Sequence, residues 1–166
     1  MTLTIKIDSR QDLDFIEFSG DISEDSEVSL AELPQKISKK CIFHMQEISM
    51  VNSCGVRAWV KFMREISGKS EVVFSACSPA VVSQINMIPN FKGHADVKSL
   101  YCSYVCDNCD LEHLELFEEG KNMPKSSTEP APNIKCKSCG EDMEMEEVSE
   151  DFFAWKKVDV NDPKPT

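Results

Sequence analysis

Two short motifs carry the most specific chemistry in this sequence. Cys106-Asp-Asn-Cys109 and Cys136-Lys-Ser-Cys139-Gly are both C-x2-C units, separated by 26 residues. A C-x2-C loop curls so that its two sulfurs converge on one point. Two such loops supply four thiolates, a tetrahedral set suited to Zn²⁺ at about 2.3 Å, with iron as the competing metal. Four protein ligands leave no position for water, so the site is expected to be structural and not catalytic. Cys102 and His113 lie near the motifs, but the four-sulfur shell is complete without them, and they are read as ordinary strand residues. His44 and His94 have no cysteine or carboxylate constellation around them. No Ser-His-Asp pattern, phosphate loop or G-x-G-x-x-G is present, which disfavours an enzyme.

The chain around these motifs is uneven. Its 166 residues carry a net charge of −11. Residues 1–100 hold 11 basic and 13 acidic residues, whereas residues 101–166 hold 7 and 16, a net −9. Leu, Ile, Val and Phe number 30 in the first part and 11 in the second. An aliphatic share that low, at that charge, leaves a chain unable to fold on burial alone. Bound metal is the expected remedy, contributing on the order of 10 kcal/mol or more. The division expected is 1–100, a metal-held 101–158 and a disordered tail 159–166.

The second part resembles a zinc ribbon, two knuckles on hairpin turns, from Tyr104 to about Val148. Many ribbons bind nucleic acid or the transcription machinery. Here Glu112, Glu115, Glu118, Glu119, Glu141, Asp142, Glu144, Glu146 and Glu147 oppose phosphates and suit a protein with a basic face. The loop Gly120–Asn133 is expected to be mostly mobile, and Met143 and Met145 to lie on an exposed strand. Val148, Phe152 and Trp155 would share one face of a helix over 149–157, with Ser149 as its N-cap, and would dock as a lid.

In the first part, alternation predicts strands at 2–7 and 13–19. A short helix over 24–33 should follow, then a buried strand at 41–45. A helix over 53–67 carries the apolar stripe Val56, Trp59, Val60, Met63 and Ile66. A strand at 72–76, a helix at 79–88 and a strand at 95–100 complete a mixed sheet with packed helices. No apolar run approaches the length of a membrane span. The start is not a secretory signal, so a reducing cytoplasm is the expected location and disulfides are not.

The strand-to-helix turn ending in Asn52-Ser53-Cys54-Gly55, with the order of elements around it, resembles the STAS family of anti-sigma-factor antagonists and sulphate-transporter tails. The family signature reads Asp-Ser-Ser-Gly, and its first Ser is the phosphoacceptor for a partner kinase; that position is Ser53. Asn52 stands for the signature's Asp, Cys54 for its second Ser, and His44 for a further Asp. The family's last helix has no counterpart. The resemblance implies an α/β fold and a non-enzymatic bacterial signalling or scaffold protein. Its partner would be a regulatory kinase, an anti-sigma factor or a scaffold component. Docking is expected through Asn52, Ser53, Cys54, Arg57 and Lys61. Two other roles stay open: an accessory subunit of a lipid transporter, and a transcription-associated ribbon. Ser53 itself has two readings, a switchable hydroxyl or simply the helix N-cap. Cys54 is expected to be a small buried packing residue.

Overall fold

A computed structural model describes residues 1–156, so the expected tail 159–166 and the last residues of the expected helix lie outside the described residues. The chain divides into two compact units, the first Met1–Leu100 and the second beginning at Tyr101.

The first unit is built on a five-stranded mixed sheet in the order β1-β2-β3-β4-β5. β1 (Thr4–Arg10) and β2 (Leu13–Ile22) form an antiparallel hairpin. β3 (Lys40–Val51), β4 (Glu71–Ser75) and the two-residue β5 (Asp96–Val97) then add in parallel. Parallel neighbours need crossovers: the segment holding α1 (Glu27–Glu32) joins β2 to β3, α2 (Ser53–Ile66) joins β3 to β4, and α3 (Pro79–Met87) joins β4 to β5. This is the mixed α/β class that the sequence resemblance implied.

Alternation along β2 and β3 turns Ile16, Phe18, Phe43 and Met45 inward, all fully buried. On α2, Trp59, Phe62, Met63 and Ile66 meet them. Trp59 contacts Phe18 edge-on at 5.3 Å and stacks on Phe91 at 5.4 Å, and its Nε1 donates to the Phe91 carbonyl at 2.9 Å. A buried indole is thereby satisfied. Val56 and Val60 of the expected stripe are only half-buried, because Phe62 takes the inner position one residue further round.

Several local expectations change. The helix over 24–33 is a 3-10 turn at Glu24–Ser26, a short α1 (Glu27–Glu32) and a second 3-10 turn at Leu33–Gln35. Ser23 caps its start, and Val28 is 68% exposed. β3 runs six residues beyond Met45, paired there with β2 alone. The strand expected at 95–100 is two strands, β5 and β6 (Ser99–Val105).

The second unit holds a sheet in the order β7-β6-β9-β8, with β7 at Glu112–Glu118, β8 at Ile134–Lys135 and β9 at Asp142–Met145. Its core is aromatic. Tyr104 and Phe117 meet edge-on at 6.3 Å, and Phe117 lies 5.8 Å from Phe153. A short α4 (Ser149–Phe152) brings Phe152 and Phe153 into burial. The expected stripe is wrong at its first member: Val148 is 66% exposed, and Phe153 takes the inward place. Val148, not Ser149, stands at the cap position, without a side-chain cap bond. Met143 is buried and not on an exposed face.

The 120–133 segment is tied down at both ends. Met123 and Pro124 are buried, and Asn122 bonds the Glu118 N–H and the Leu116 carbonyl. Tyr104 Oη donates to the Pro132 carbonyl at 3.1 Å. No helix among the described residues is long and apolar enough to cross a membrane.

Candidate metal centre and the start of α2

The two C-x2-C units fold by one backbone recipe. Cys106 N–H donates to the Leu111 carbonyl at 2.9 Å and Asp110 N–H to the Cys106 carbonyl at 2.8 Å. In the second unit's other knuckle, Cys136 N–H donates to Glu141 at 2.8 Å and Gly140 N–H to Cys136 at 2.9 Å. The residue after the second cysteine is left-handed in both, Asp110 at φ 56° and Gly140 at φ 77°. The first cysteine of each knuckle is buried and the second exposed.

All four Sγ atoms lie within 4.8 Å of one another, with Cys106–Cys139 and Cys109–Cys136 at 3.5 Å. Tetrahedral ligands at about 2.3 Å from one ion stand roughly 3.8 Å apart, so this set could hold a single metal ion with little movement. Each close contact pairs a sulfur whose pKa is raised with one whose pKa is lowered. Desolvation raises the Cys106 pKa, and the hydrogen bond with Cys136 pushes Cys109 up to about 12. The Cys139 N–H draws Cys136 down to about 6, and the Asn108 side chain lowers Cys139. Thiolate character is thus favoured at Cys136 and Cys139, and binding a cation would release the protons the cluster still holds.

Cys102 is a buried thiol raised to about 12 by burial and by Glu147 and Glu146. His113 bonds Glu115 at 2.7 Å. Neither belongs to the four-sulfur cluster. His44 bonds the Ser75 hydroxyl at 3.3 Å beside Phe15, and His94 bonds the Ser70 carbonyl at 2.9 Å.

At the start of α2 the cap is Asn52, not Ser53. Asn52 is extended (φ −99°, ψ 175°), and its Oδ1 accepts the Gly55 N–H at 2.8 Å. Asn caps as well as Ser does, and the amide has a further use that a hydroxyl cannot match. Its Nδ2 donates to Glu24 Oε2 at 2.8 Å, joining the turn before α1 to the start of α2. That bond holds the Glu24 carboxyl below its ordinary pKa. The serine preceding Cys54 is thus released from structural duty.

Gly55 explains the last letter of the motif. A Cβ there would sit 2.0 Å from the Ile22 carbonyl oxygen, so the helix abuts the end of β2 with no room for a side chain. Sequence reasoning read this glycine only as part of a signature; its need follows from the contact. Ser53, Cys54, Arg57 and Lys61 all stand exposed along the same helix, with Asn52 half-buried. The expectation of a buried Cys54 is corrected: the thiol lies on the outer side of the first turn because Gly55 and Trp59 take the inner one.

No protein-family model matches this chain, and no curated protein is similar to it. Among solved structures, a matching one is that of the anti-sigma factor antagonist SpoIIAA in its unphosphorylated form. The match has a TM-score of 0.45 and 14% identity, over 57% of this chain and 87% of that one. At those values it is a similarity in fold and bears on the role of no residue.

Proposed function

We propose that this chain is a non-enzymatic protein-interaction module of bacterial signalling or regulation, docking through the start of α2, with its second unit held by structural zinc. The observation that carries the docking reading is the way α2 is fixed. The Asn52 cap, the Glu24 bond and the Gly55–Ile22 abutment hold the first turn rigidly, while Ser53, Cys54, Arg57 and Lys61 face solvent. A rigid, exposed, partly cationic turn suits recognition of an acidic or polar protein surface, since little ordering is needed on binding. A phosphate on Ser53 would meet the free N–H groups of the helix start and reverse the local charge, so one hydroxyl can switch the interface. The four cysteines would hold zinc, which supplies folding energy and leaves no open coordination position. Its thiols suit the reducing cytoplasm.

Affinity capture with mass spectrometry, on wild type, Ser53→Ala and Ser53→Asp, tests this reading. Because Asn52 makes the cap, neither variant should lose more than a few tenths of a kcal/mol in stability. Ser53→Ala should retain a specific partner and Ser53→Asp should lose it. Equal capture by both removes the switch, and no specific partner for any of the three removes the docking reading.

A further inference from the structure

We propose that β7 is a second docking edge, built to take one short extended segment of a protein partner in which apolar residues alternate and a Lys or Arg flanks them. It belongs to the second unit and stands apart from docking at α2.

β7 ends its sheet: β6 is its neighbour on one side, and no described strand lies on the other. The Leu111 carbonyl accepts from Cys106 where β6 ends, so the odd-numbered residues of β7 turn their backbone groups toward β6. Those of Glu112, Leu114, Leu116 and Glu118 point the other way. Asn122 shows this directly at the far end, where its carboxamide takes the Leu116 carbonyl and the Glu118 N–H. That plug limits the open edge to Glu112, Leu114 and the Leu116 N–H, which is room for about three ladder bonds.

The side chains there choose the occupant. Leu114 is 51% exposed, with Leu111 at 39% and Leu116 half-buried, whereas Phe117 is fully buried and His113 and Glu115 are half-buried. An edge with exposed leucines invites strand addition. Glu112 is exposed and has no ion pair among the described residues, while Glu118 is matched by Lys121 at 3.2 Å. A second copy is a poor occupant. Within the open stretch, antiparallel self-pairing is centred on Leu114: it covers that leucine with its own copy but sets Glu112 against Leu116, which leaves the carboxylate without a cation. A nucleic acid is repelled by the same acids. A cationic, alternating strand satisfies the open backbone, covers Leu114 and answers Glu112 together.

The test uses the full chain with its metal content measured, and an end-capped peptide, Lys-Thr-Val-Thr-Val-Thr-Lys. Binding is followed by fluorescence anisotropy, and site by amide exchange. The expected result is protection confined to Glu112, Leu114 and Leu116. Leu114→Arg and Glu112→Lys, both at exposed positions, should each weaken binding roughly tenfold with metal content unchanged. A peptide N-methylated at alternate amides should not bind, because the ladder bonds are removed. Absence of binding, equal binding of the methylated peptide, or binding without protection in β7 overturns the proposal. Protection of β7 without peptide, rising with protein concentration, assigns the edge to a second copy and overturns it as well.

Discussion

The two units solve the folding problem in opposite ways. Met1–Leu100 has an aromatic and aliphatic interior in which Phe18, Phe43, Trp59, Phe74 and Phe91 are fully buried and in ring contact. The second unit has Tyr104, Phe117, Phe152 and Phe153 buried and four sulfurs gathered in one cluster. Burial alone stabilises the first. In the second, a small aromatic cluster cannot offset the ordering of its strands and loops, and repulsion among sixteen acids and seven bases adds to the deficit. A metal held by the four cysteines, as proposed, would close that gap, so the two halves of one chain should respond to different insults.

The largest contrast is metal removal. Chelation, or Cys136→Ser with Cys139→Ser, should unfold the second unit through the loss of on the order of 10 kcal/mol, while the first stays folded. Trp59 lies in the first unit's core and Trp155 in the second unit, so emission in a Trp155→Phe background should remain blue-shifted after chelation. Far-UV circular dichroism should show loss of the second unit's strands. Cooperative collapse of both, or neither, breaks the comparison.

The reverse insult is Gly55→Ala. A methyl placed 2.0 Å from the Ile22 carbonyl forces α2 off the end of β2. Overpacking of this kind should cost about 2–3 kcal/mol or more. The loss should appear in the denaturation midpoint of the first unit, with zinc content unchanged. A cost under about 0.5 kcal/mol would mean that α2 relaxes freely, and the rigid-turn argument for docking would fall with it.

Acid separates the units as well. Asp14 is 4% exposed at the base of the hairpin, where it accepts the Ser38 N–H at 2.6 Å. Burial opposes its charge, yet hydrogen bonds from Ser9 and Ser38 prevail and leave its pKa below the usual 3.8. A lowered folded pKa contributes stability above about 4 that is lost as pH falls through the folded value. Asp14→Asn should therefore cost the first unit about 1–3 kcal/mol near neutrality, and the gap should close below pH 4. The second unit should fail earlier on the same titration, because protons compete with metal for thiolates. The same midpoint for both units would contradict the separate origins of their stability.

What was legible in the sequence follows this contrast. The four-cysteine cluster was plain because metal chemistry fixes residue type and spacing together, and the structure gathers those four sulfurs. The mixed sheet was plain because strand alternation and the α2 stripe repeat over many residues. The misses fall where one residue decides. Asn52 displaced Ser53 as the cap because Glu24, 28 positions away, rewards an amide, and nothing local records that partner. Val148 lost its inward place to Phe153 because α4 is a single turn, too short for a periodic face. The 120–133 segment looked solvated by composition, but Asn122, Met123 and Pro124 pin it through contacts that its Ser and Thr content conceals.

The smallest effect lies within the four-cysteine cluster and compares its two halves. Both knuckles require a left-handed residue after the second cysteine, and only the second uses glycine there. A side chain at Asp110 with φ 56° bears part of the left-handed penalty, eased because Asp tolerates that region better than most residues. Gly140 has nothing within 4 Å of where a Cβ would stand, so conformation alone sets the cost of replacing it. Asp110→Gly should therefore gain about 0.5–1 kcal/mol, less what the freer unfolded chain gives back, and Gly140→Ala should lose about 1 kcal/mol. With folding of this unit linked to metal, as proposed, both changes should be read as zinc affinity in a chelator competition. The expected shifts are roughly two- to fivefold tighter for the first variant and fivefold weaker for the second. Equal weakening by both would show that the Asp110 side chain, and not its backbone alone, supports the first knuckle. The knuckles would then be alike in backbone and different in what holds them.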